Sequence, residues 1–527
     1  MRLFSLGINI LLSLNLAFGS VFTGDAATGH LLQKSEPPVR IDGFGVDMNA
    51  LPALNVENVE FTVQNLAVTG VSYIRQEIDW SLIETSPGVY DWSSAVPLDL
   101  LFATASARKI QIVAVLTGGP VYLASSGQPV SRSAVRERWS YFVQAAVEQF
   151  GAYVDIWEIG SAVNSSYALT PFLSPLSPDQ AIGPNATYYS KLLGIASDVI
   201  RDADPNDQVW LGSLTGLFDL DCAMNPLTFL LELNASRSWK DFDAILYTPM
   251  QGSAAPEFPS SGTVNSACAS NLMATPGSIT DEVRAVQELA RQLGGKPVLI
   301  SRLSWRTDEL AALSGNREIP ASQVEADLLV RASAALMAQN AIPVIFWSAD
   351  ILNNQSAQYA LANLQQLLHN TKPLGRVAGQ DEAVHEYHFR KGGQHTVIAW
   401  HARDGDLTYP AALQVGDIRS LTAWTADSAE LSRENGQLIP ADGNQQASVV
   451  LNERPVIFSG RSGDIIINIR YSIEDQTELA QIELSQLMKR WLNEAKSEFV
   501  HLLEKELDKA KDSALEWGED KLDELLP

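Results

Sequence analysis

Carboxyl side chains suited to acid–base chemistry occur at two places in the sequence. Arg75, Glu77 and Asp79 stand at alternate positions, and Glu158 lies in a second short apolar run. Because alternate residues of a β-strand share a face, the first three are expected to point to one side. Two opposed carboxyl groups can serve as general acid and as nucleophile or base, so Glu77 and Glu158 are candidates for such a pair.

Other catalytic chemistries find little support in the sequence. There is no His-x-x-x-His pair for zinc, no Gly-x-Ser-x-Gly elbow for a serine nucleophile and no glycine-rich phosphate loop. Asp219 and Asp221 have the spacing of some calcium loops, but the remaining ligands of such a loop are missing. We therefore expect neither a metal nor a cofactor.

The net charge narrows the class of partner. The chain has 527 residues, of which 37 are basic and 62 acidic, giving a net charge of −25. This charge repels phosphate backbones and anionic lipid surfaces, so we expect no nucleic acid partner. An apolar content of 46% indicates a folded globular protein. The net charge does not disfavour binding of neutral ligands.

The first residues resemble an export signal. Arg2 precedes an apolar run over 3–18, and residues 17–19 have the small-x-small pattern of a cleavage site. Asn9, Ser13 and Asn15 interrupt the run, which favours a removed signal peptide over 1–19 rather than an uncleaved membrane anchor. We expect a secreted or extracytoplasmic protein.

Short apolar runs alternate with helical patterns between residues 40 and 372, which predicts repeated βα units of the α/β class. Eight strands are expected, enough for a closed (β/α)8 TIM barrel. They lie at 42–46, 71–75, 110–116, 154–159, 209–212, 242–247, 297–300 and 343–347. Longer helical patterns occur at 133–150, 188–202, 281–293 and 322–339.

Strand-length runs separated by turn signals fill residues 376–462 and predict a small antiparallel β-sandwich. Residues 473–527 form an acidic amphipathic helix pattern. That helix either docks on its own chain or mediates self-association or binding of a protein partner. Membrane adsorption is disfavoured, because acidic residues outnumber basic ones in this segment.

The two cysteines, Cys222 and Cys268, fall in the loops after predicted strands five and six. These loops are neighbours on one face of a barrel. In an oxidising compartment we prefer a disulfide between them to two free thiols.

Residues 71–75 and the run Trp80-Ser-Leu-Ile-Glu-Thr-Ser-Pro-Gly-Val-Tyr-Asp-Trp92 resemble the second barrel unit of clan A glycoside hydrolases. Gln111–Leu116, Pro120, Arg201–Pro205 and Val209–Gly212 are similar to the same clan, especially its β-xylosidase-like and cellulase-like members. Asn452–Phe458 resembles the closing strand of the sandwich that often follows such barrels. The resemblance covers about residues 40–460 and implies the barrel fold and a glycosidase ancestry.

The catalytic positions that the resemblance implies are changed. The acid/base glutamate of the clan aligns with Ala162, and the asparagine before it aligns with Ser161. The nucleophile aligns with Arg302, and a His-Pro-Tyr ending on strand six is replaced by Thr248-Pro249-Met250. An arginine can neither attack an anomeric carbon nor stabilise a cationic transition state.

The predicted ligand-binding set therefore consists of side chains near strand ends. Its members are Asp47, Arg75, Glu77, Asn164, Arg302, Trp305, Trp347 and Asp350. A buried Arg75–Glu158 ion pair in the barrel floor is the structural alternative for those two residues. Asp47 and Asp350 are suited to capping or hydrogen bonding, and Trp347 either stacks on a sugar or belongs to the barrel core.

The sequence thus predicts an exported, catalytically degenerate glycoside hydrolase-like protein, a pseudoenzyme that binds a glycan or acts as an interaction scaffold. The alternative is an active glycosidase that uses the non-standard carboxylates Glu77 and Glu158.

Overall fold

The computed structural model describes residues 42–50, 56–119, 132–165, 185–216, 224–260, 277–314, 319–376, 383–402, 409–414, 420–425, 427–428, 437–440, 446–461 and 466–469. The predicted signal peptide, Cys222, Cys268 and the helix predicted over 473–527 lie outside the described residues. Within them, no helix has the length and apolarity to cross a bilayer.

Eight parallel strands form a closed barrel, as the sequence predicted. In chain order the first ten strands are β1 (Gly43–Asp47), β2 (Tyr73–Asp79), β3 (Glu84–Ser86), β4 (Val89–Tyr90), β5 (Gln111–Thr117), β6 (Ile156–Ile159), β7 (Gln208–Thr215), β8 (Ala244–Thr248), β9 (Val298–Leu303) and β10 (Val344–Ser348). Strands β3 and β4 form a separate hairpin, and the other eight follow the order β1-β10-β9-β8-β7-β6-β5-β2. β2 also pairs with β1, which closes the ring.

Helices connect the strands and cover the barrel. They are α1 (Val56–Thr69), α2 (Trp80–Ile83), α3 (Val96–Ala107), α4 (Arg132–Phe150), α5 (Ala186–Ala203), α6 (Pro226–Ala235), α7 (Ile279–Leu293), α8 (Thr307–Ser314), α9 (Ala321–Asn340) and α10 (Gln355–Leu368). Their ends follow capping chemistry: Ser278 and Asp281 form a reciprocal capping box at the start of α7. Ala341, in the left-handed region at φ 50°, ends α9 before Pro343.

The barrel interior is filled by side chains at alternate strand positions. These are Tyr73, Val113, Ile156, Trp210, Ala244, Leu246, Leu299, Val344 and Phe346. Gly45 lies against Phe346, and a Cβ there would be 2.5 Å from the phenylalanine ring. The lower barrel is therefore a packed core, and any polar site must lie toward the carboxyl ends of the strands.

Two antiparallel sheets follow the barrel. Their strands are β11 (Lys372–Arg376), β12 (Val384–Lys391), β13 (Gln394–His401), β14 (Tyr409–Gln414), β15 (Ser420–Thr425), β16 (Gln437–Pro440), β17 (Gln446–Leu451), β18 (Val456–Arg461) and β19 (Ile466–Ile469). One sheet has the order β11-β12-β13-β18-β15-β16, and the other has the order β17-β14-β19. The predicted change from an α/β barrel to antiparallel β-structure is confirmed.

Helix α9 connects the barrel to the larger sheet. Arg331 forms a buried bidentate pair with Glu257, with N···O distances of 2.9 and 2.6 Å, and lies over the ring of Trp400 in β13. Gln339 donates a hydrogen bond to the hydroxyl of Tyr387 in β12 at 2.8 Å. The two parts therefore share a buried interface of polar and aromatic groups.

Arg454 links the same helix to the sheet through two carboxylates. It donates to Asp327 at 3.1 Å and to Asp427 at 2.9 Å, and Gln323 also donates to Asp427. Burial raises the pKa of Asp327 to about 7 against the opposing charge of Arg454. For the less buried Asp427, the Arg454 charge and the Gln323 amide outweigh burial and lower the pKa.

These opposite shifts predict opposite pH dependences for two matched variants. Ionisation of the buried Asp327 carboxyl destabilises the fold as the pH rises toward 7. The unfolding free energy of Asp327→Asn relative to wild type should therefore increase by about 1–3 kcal/mol between about pH 4 and pH 8. Asp427→Asn loses up to about 1 kcal/mol of unfolding free energy at neutral pH, and this loss shrinks as the pH falls through the lowered pKa of Asp427. Urea unfolding across this pH range measures both. Equal behaviour of the two variants contradicts the assignment.

Candidate functional site

The centre of the barrel mouth is a buried charge cluster around Arg75. The Arg75 guanidinium donates from Nε and Nη2 to the two carboxylate oxygens of Glu158, at 2.6 and 2.7 Å. Its Nη1 donates to Asp47 Oδ1 at 2.9 Å, and Nη2 also lies 3.3 Å from Ser161 Oγ. All three charged side chains are almost fully buried. The predicted Arg75–Glu158 ion pair is thus confirmed.

The position of this cluster differs from the barrel floor that the sequence suggested. Asp47 is the last residue of β1, and Glu158 is the second-last residue of β6. Glu158 and Glu77 are both in register with Val115 of β5, so they lie at the same level along neighbouring strand pairs. The ion pair therefore lies at the carboxyl ends of the strands, because β6 ends only one residue after Glu158.

Electrostatics hold Arg75 in its charged form, whereas burial raises the pKa of Glu158 against the opposing charge of Arg75. Burial alone would lower the pKa of Arg75, but the charges of Glu158 and Asp47 outweigh it and raise the pKa above its usual value. The Ser213 backbone N–H donates to Glu158 Oε1 at 3.0 Å, adding a third bond to the carboxylate. Glu158 is consequently committed to its neighbours rather than presented as a nucleophile.

Glu77 lies beside the cluster and is partly buried. Its backbone N–H donates to Asn49 Oδ1 at 2.9 Å. Burial raises the pKa of its carboxyl, Arg75 opposes this effect, and the charges of Asp47 and Glu158 raise the pKa further. A raised pKa suits a proton donor, so Glu77 is a candidate for that role.

Asp79 and Glu84 have structural partners after β2. Asp79 caps α2 by accepting from the Ser81 N–H at 2.8 Å. Glu84 accepts from the Trp80 indole at 2.6 Å and from the Gly88 N–H at 2.7 Å, which holds the β3–β4 hairpin. The motif that carries the family resemblance in this segment thus stabilises the fold.

Ala162 occupies the turn directly after β6. Its φ is 50°, in the left-handed region, and its N–H donates to Ser213 Oγ at 3.0 Å. Asn164 is fully buried in the same turn, where its amide bonds the backbone of Thr215 and Met224 at 2.8–3.0 Å. The turn is well fixed, but it presents a methyl group where the resemblance implies an acid.

Arg302 is aimed toward the end of β10 by an irregularity in β9. Ile345 pairs with Ile300, whereas Trp347 pairs with Leu303, so β9 carries one extra residue at this point. The Arg302 Nη2 lies 3.5 Å from Ser348 Oγ and 4.0 Å from Asp350. Of the residues with described side chains, Asp350 is its ion-pair partner, and the Arg75 cluster forms a separate network.

The two tryptophans of the predicted ligand set are buried. Trp347 is fully buried, packs edge-on against Phe44 and donates its indole N–H to Ser333 of α9 at 3.0 Å. Trp305 donates to the Ala254 carbonyl at 3.2 Å. Of the two roles considered for Trp347, the structure places it in the core.

Several polar residues of the mouth had no signal in the sequence. Ser213 accepts from the Ala162 N–H and Ser348 accepts from Arg302, yet isolated serines form no motif. Ser301 of β9 likewise had no signal, and its hydroxyl lies 2.7 Å from that of Thr248 in β8, a residue that the resemblance had already drawn attention to. Only the positions of the strand ends, known from the fold, would have drawn attention to them.

The cluster predicts a large effect of removing its central charge. Arg75→Met leaves two buried carboxylates without their partner, which should cost about 3–5 kcal/mol of unfolding free energy. Arg201→Met, in the half-exposed pair with Asp243, should cost less than about 1 kcal/mol. Urea unfolding at neutral pH compares them, and a similar small loss in both variants would refute the central role of Arg75.

Comparison with known proteins finds solved structures of the same architecture, while no protein-family model and no curated protein matches. A family 39 glycoside hydrolase from Bacteroides cellulosilyticus WH2 superposes with a TM-score of 0.59 at 14% identity, covering 80% of this chain and 81% of that one. A family 30 endoxylanase from Clostridium papyrosolvens C71 gives 0.51 at 12% identity, covering 80% and 97%. A family 30 subfamily 8 xylanase from Clostridium acetobutylicum gives 0.50 at 13% identity, covering 80% and 96%. The chain therefore shares the (β/α)8 barrel fold of these glycoside hydrolases.

Proposed function

We propose that this chain is an exported, catalytically inactive glycoside hydrolase-like protein whose barrel mouth binds a glycan or serves as an interaction surface. The observation that carries the proposal is the pair of changed positions at the ends of β6 and β9. Ala162 has no proton to donate, and Arg302 has no electron pair for an anomeric carbon. The fold is retained while both groups that a glycosidase requires are replaced.

The neighbouring carboxylates of Glu158 and Asp47 support catalytic inactivity, because both are already engaged in hydrogen bonds and ion pairs with Arg75. Glu158 accepts three hydrogen bonds, and Asp47 is bound to Arg75. A glycosidase nucleophile must approach the sugar directly, which a carboxylate bound through both oxygens to an arginine does not do.

An active enzyme with Glu77 as acid remains the second candidate. The raised pKa of Glu77, caused chiefly by burial, favours this role. Its weakness is the second carboxylate, since Glu158 would have to leave Arg75 during each turnover.

Export is proposed from the predicted signal peptide over 1–19. The acidic segment 473–527 is proposed as the site of self-association or of a protein partner, with docking on its own chain as the alternative.

The turnover experiment separates the two candidates. Wild-type protein is incubated with aryl-glycosides and xylan, beside Glu77→Gln and the distant surface variant Glu60→Gln. We expect all three to release sugar at the uncatalysed rate. Turnover by wild type and Glu60→Gln that is lost in Glu77→Gln would establish the active alternative.

Binding is measured separately on a glycan array. The proposal predicts retention of at least one saccharide class by the wild-type protein. Absence of any saccharide binding would remove the glycan role and leave the interaction surface.

A further inference from the structure

Two neighbouring helices on the outside of the barrel present apolar side chains to solvent. On the most exposed ridge of α1, Phe61 and Val68 lie two turns apart and are 68% and 74% exposed. Helix α3 packs beside α1, and its outward ridge is apolar throughout, with exposed or half-buried Val96, Leu100, Ala103 and Ala107. These six residues together form a surface that we call the α1/α3 face.

The α1/α3 face differs from the outer surface of other barrel helices. A helix that faces water usually carries charges on its outward ridge, as α7 does with the exposed Arg284, Glu288 and Arg291. Leu231 of α6 is also 51% exposed, but the exposed charge of Glu232 stands next to it. Single exposed apolar side chains are ordinary, whereas apolar ridges on two adjacent helices indicate an interaction surface.

The chain itself contains a segment with a matching apolar stripe. Residues 473–527, called the tail below, have apolar residues spaced by three or four, beginning with Leu484, Met488, Trp491, Ala495 and Phe499. An isolated amphipathic helix is marginal in water and gains its stability by packing its stripe on another surface. In a helix, Trp491 and Phe499 are about 12 Å apart along the axis, close to the roughly 10 Å between Phe61 and Val68.

The linker before the tail is long enough to reach this face. Strand β19 ends at Ile469, which leaves 14 residues before Leu484, and they span up to about 50 Å when extended. The sheet region contacts α10, where the Asn363 amide donates to the Ser428 carbonyl at 2.9 Å, and α10 packs beside α1. Because packed helices lie about 8–10 Å apart, the linker is several times longer than the step from α10 to α1.

Charges at the two ends of the face give the tail a direction. Glu57 is exposed in the first turn of α1, and Arg108, which follows α3, donates to Gln64 two turns further along α1 at 3.2 Å. The tail has the opposite charges in the same order, with Lys489-Arg490 followed by Glu498. Both separations correspond to about 10–12 Å of helix, so a tail parallel to α1 places opposite charges together.

We propose that the α1/α3 face is the docking site of the chain's own tail, which packs there as a helix parallel to α1 with Trp491 and Phe499 against Phe61 and Val68. Attachment to the same chain gives the tail an effective concentration in the millimolar range, which favours it over the tail of a second copy. The inference goes beyond the function of the barrel mouth and does not depend on glycan binding.

Hydrogen exchange of the tail amides, followed by mass spectrometry, tests the proposal. In the wild-type protein, amides of residues 484–499 should exchange about tenfold or more slowly than in a synthetic peptide of residues 473–527 in the same buffer. Phe61→Ser/Val68→Ser should bring the exchange to the rate of the peptide. Leu231→Ser, which removes a similarly exposed apolar side chain from α6, should leave the slow exchange unchanged.

A second pair of substitutions approaches the same contact from the tail. Trp491→Ser/Phe499→Ser should abolish the slow exchange, and adding Phe61→Ser/Val68→Ser to it should have no further effect, because both changes remove one interface. Light scattering over a hundredfold range of protein concentration should give the mass of a monomer throughout.

Three results would overturn the proposal. They are tail amides that exchange at the peptide rate in the wild-type protein, slow exchange that survives Phe61→Ser/Val68→Ser, and slow exchange that appears only at concentrations where the mass is that of a dimer. The last result would assign the face to a second copy of the chain instead of to its own tail.

Discussion

The buried guanidinium of Arg75 is the charge on which the polar end of the barrel depends. It neutralises Asp47 on the adjacent strand β1 and Glu158 on β6, which is separated from β2 only by β5, and both carboxylates are almost inaccessible to water. Burying such charges is costly unless they are paired and hydrogen-bonded, and here each carboxylate is bound. The cluster thereby ties β1, β2 and β6 together above the apolar core.

The other side of the mouth has a different electrostatic character. Arg302 stands where the clan resemblance implies a nucleophile, and the extra residue in β9 directs it toward Ser348 and Asp350. A fixed positive charge in this place opposes a glycosidase transition state but favours an anionic group.

Much of the fold was predictable, because the βα alternation and the later strand-length runs are local patterns. The inward direction of Arg75 and Glu77 followed from the two-residue period of β2, and their proximity to Glu158 followed from barrel closure. The depth of the cluster was not predictable: it depends on β6 ending at Ile159, one residue after Glu158. Nor could the sequence show that Asn164 and Trp347 are occupied by fold-specific hydrogen bonds to Thr215 and Ser333.

A double-mutant cycle between Arg75 and Glu158 tests the central claim most directly. The unfolding free energies of Arg75→Met, Glu158→Gln and the double variant are compared with that of the wild-type protein. The bidentate pair predicts a coupling energy of about 2–3 kcal/mol, because either single change leaves a buried group without its partner. A coupling below about 0.5 kcal/mol would mean that Glu158 is not held by Arg75 and is free for other chemistry, which contradicts the account.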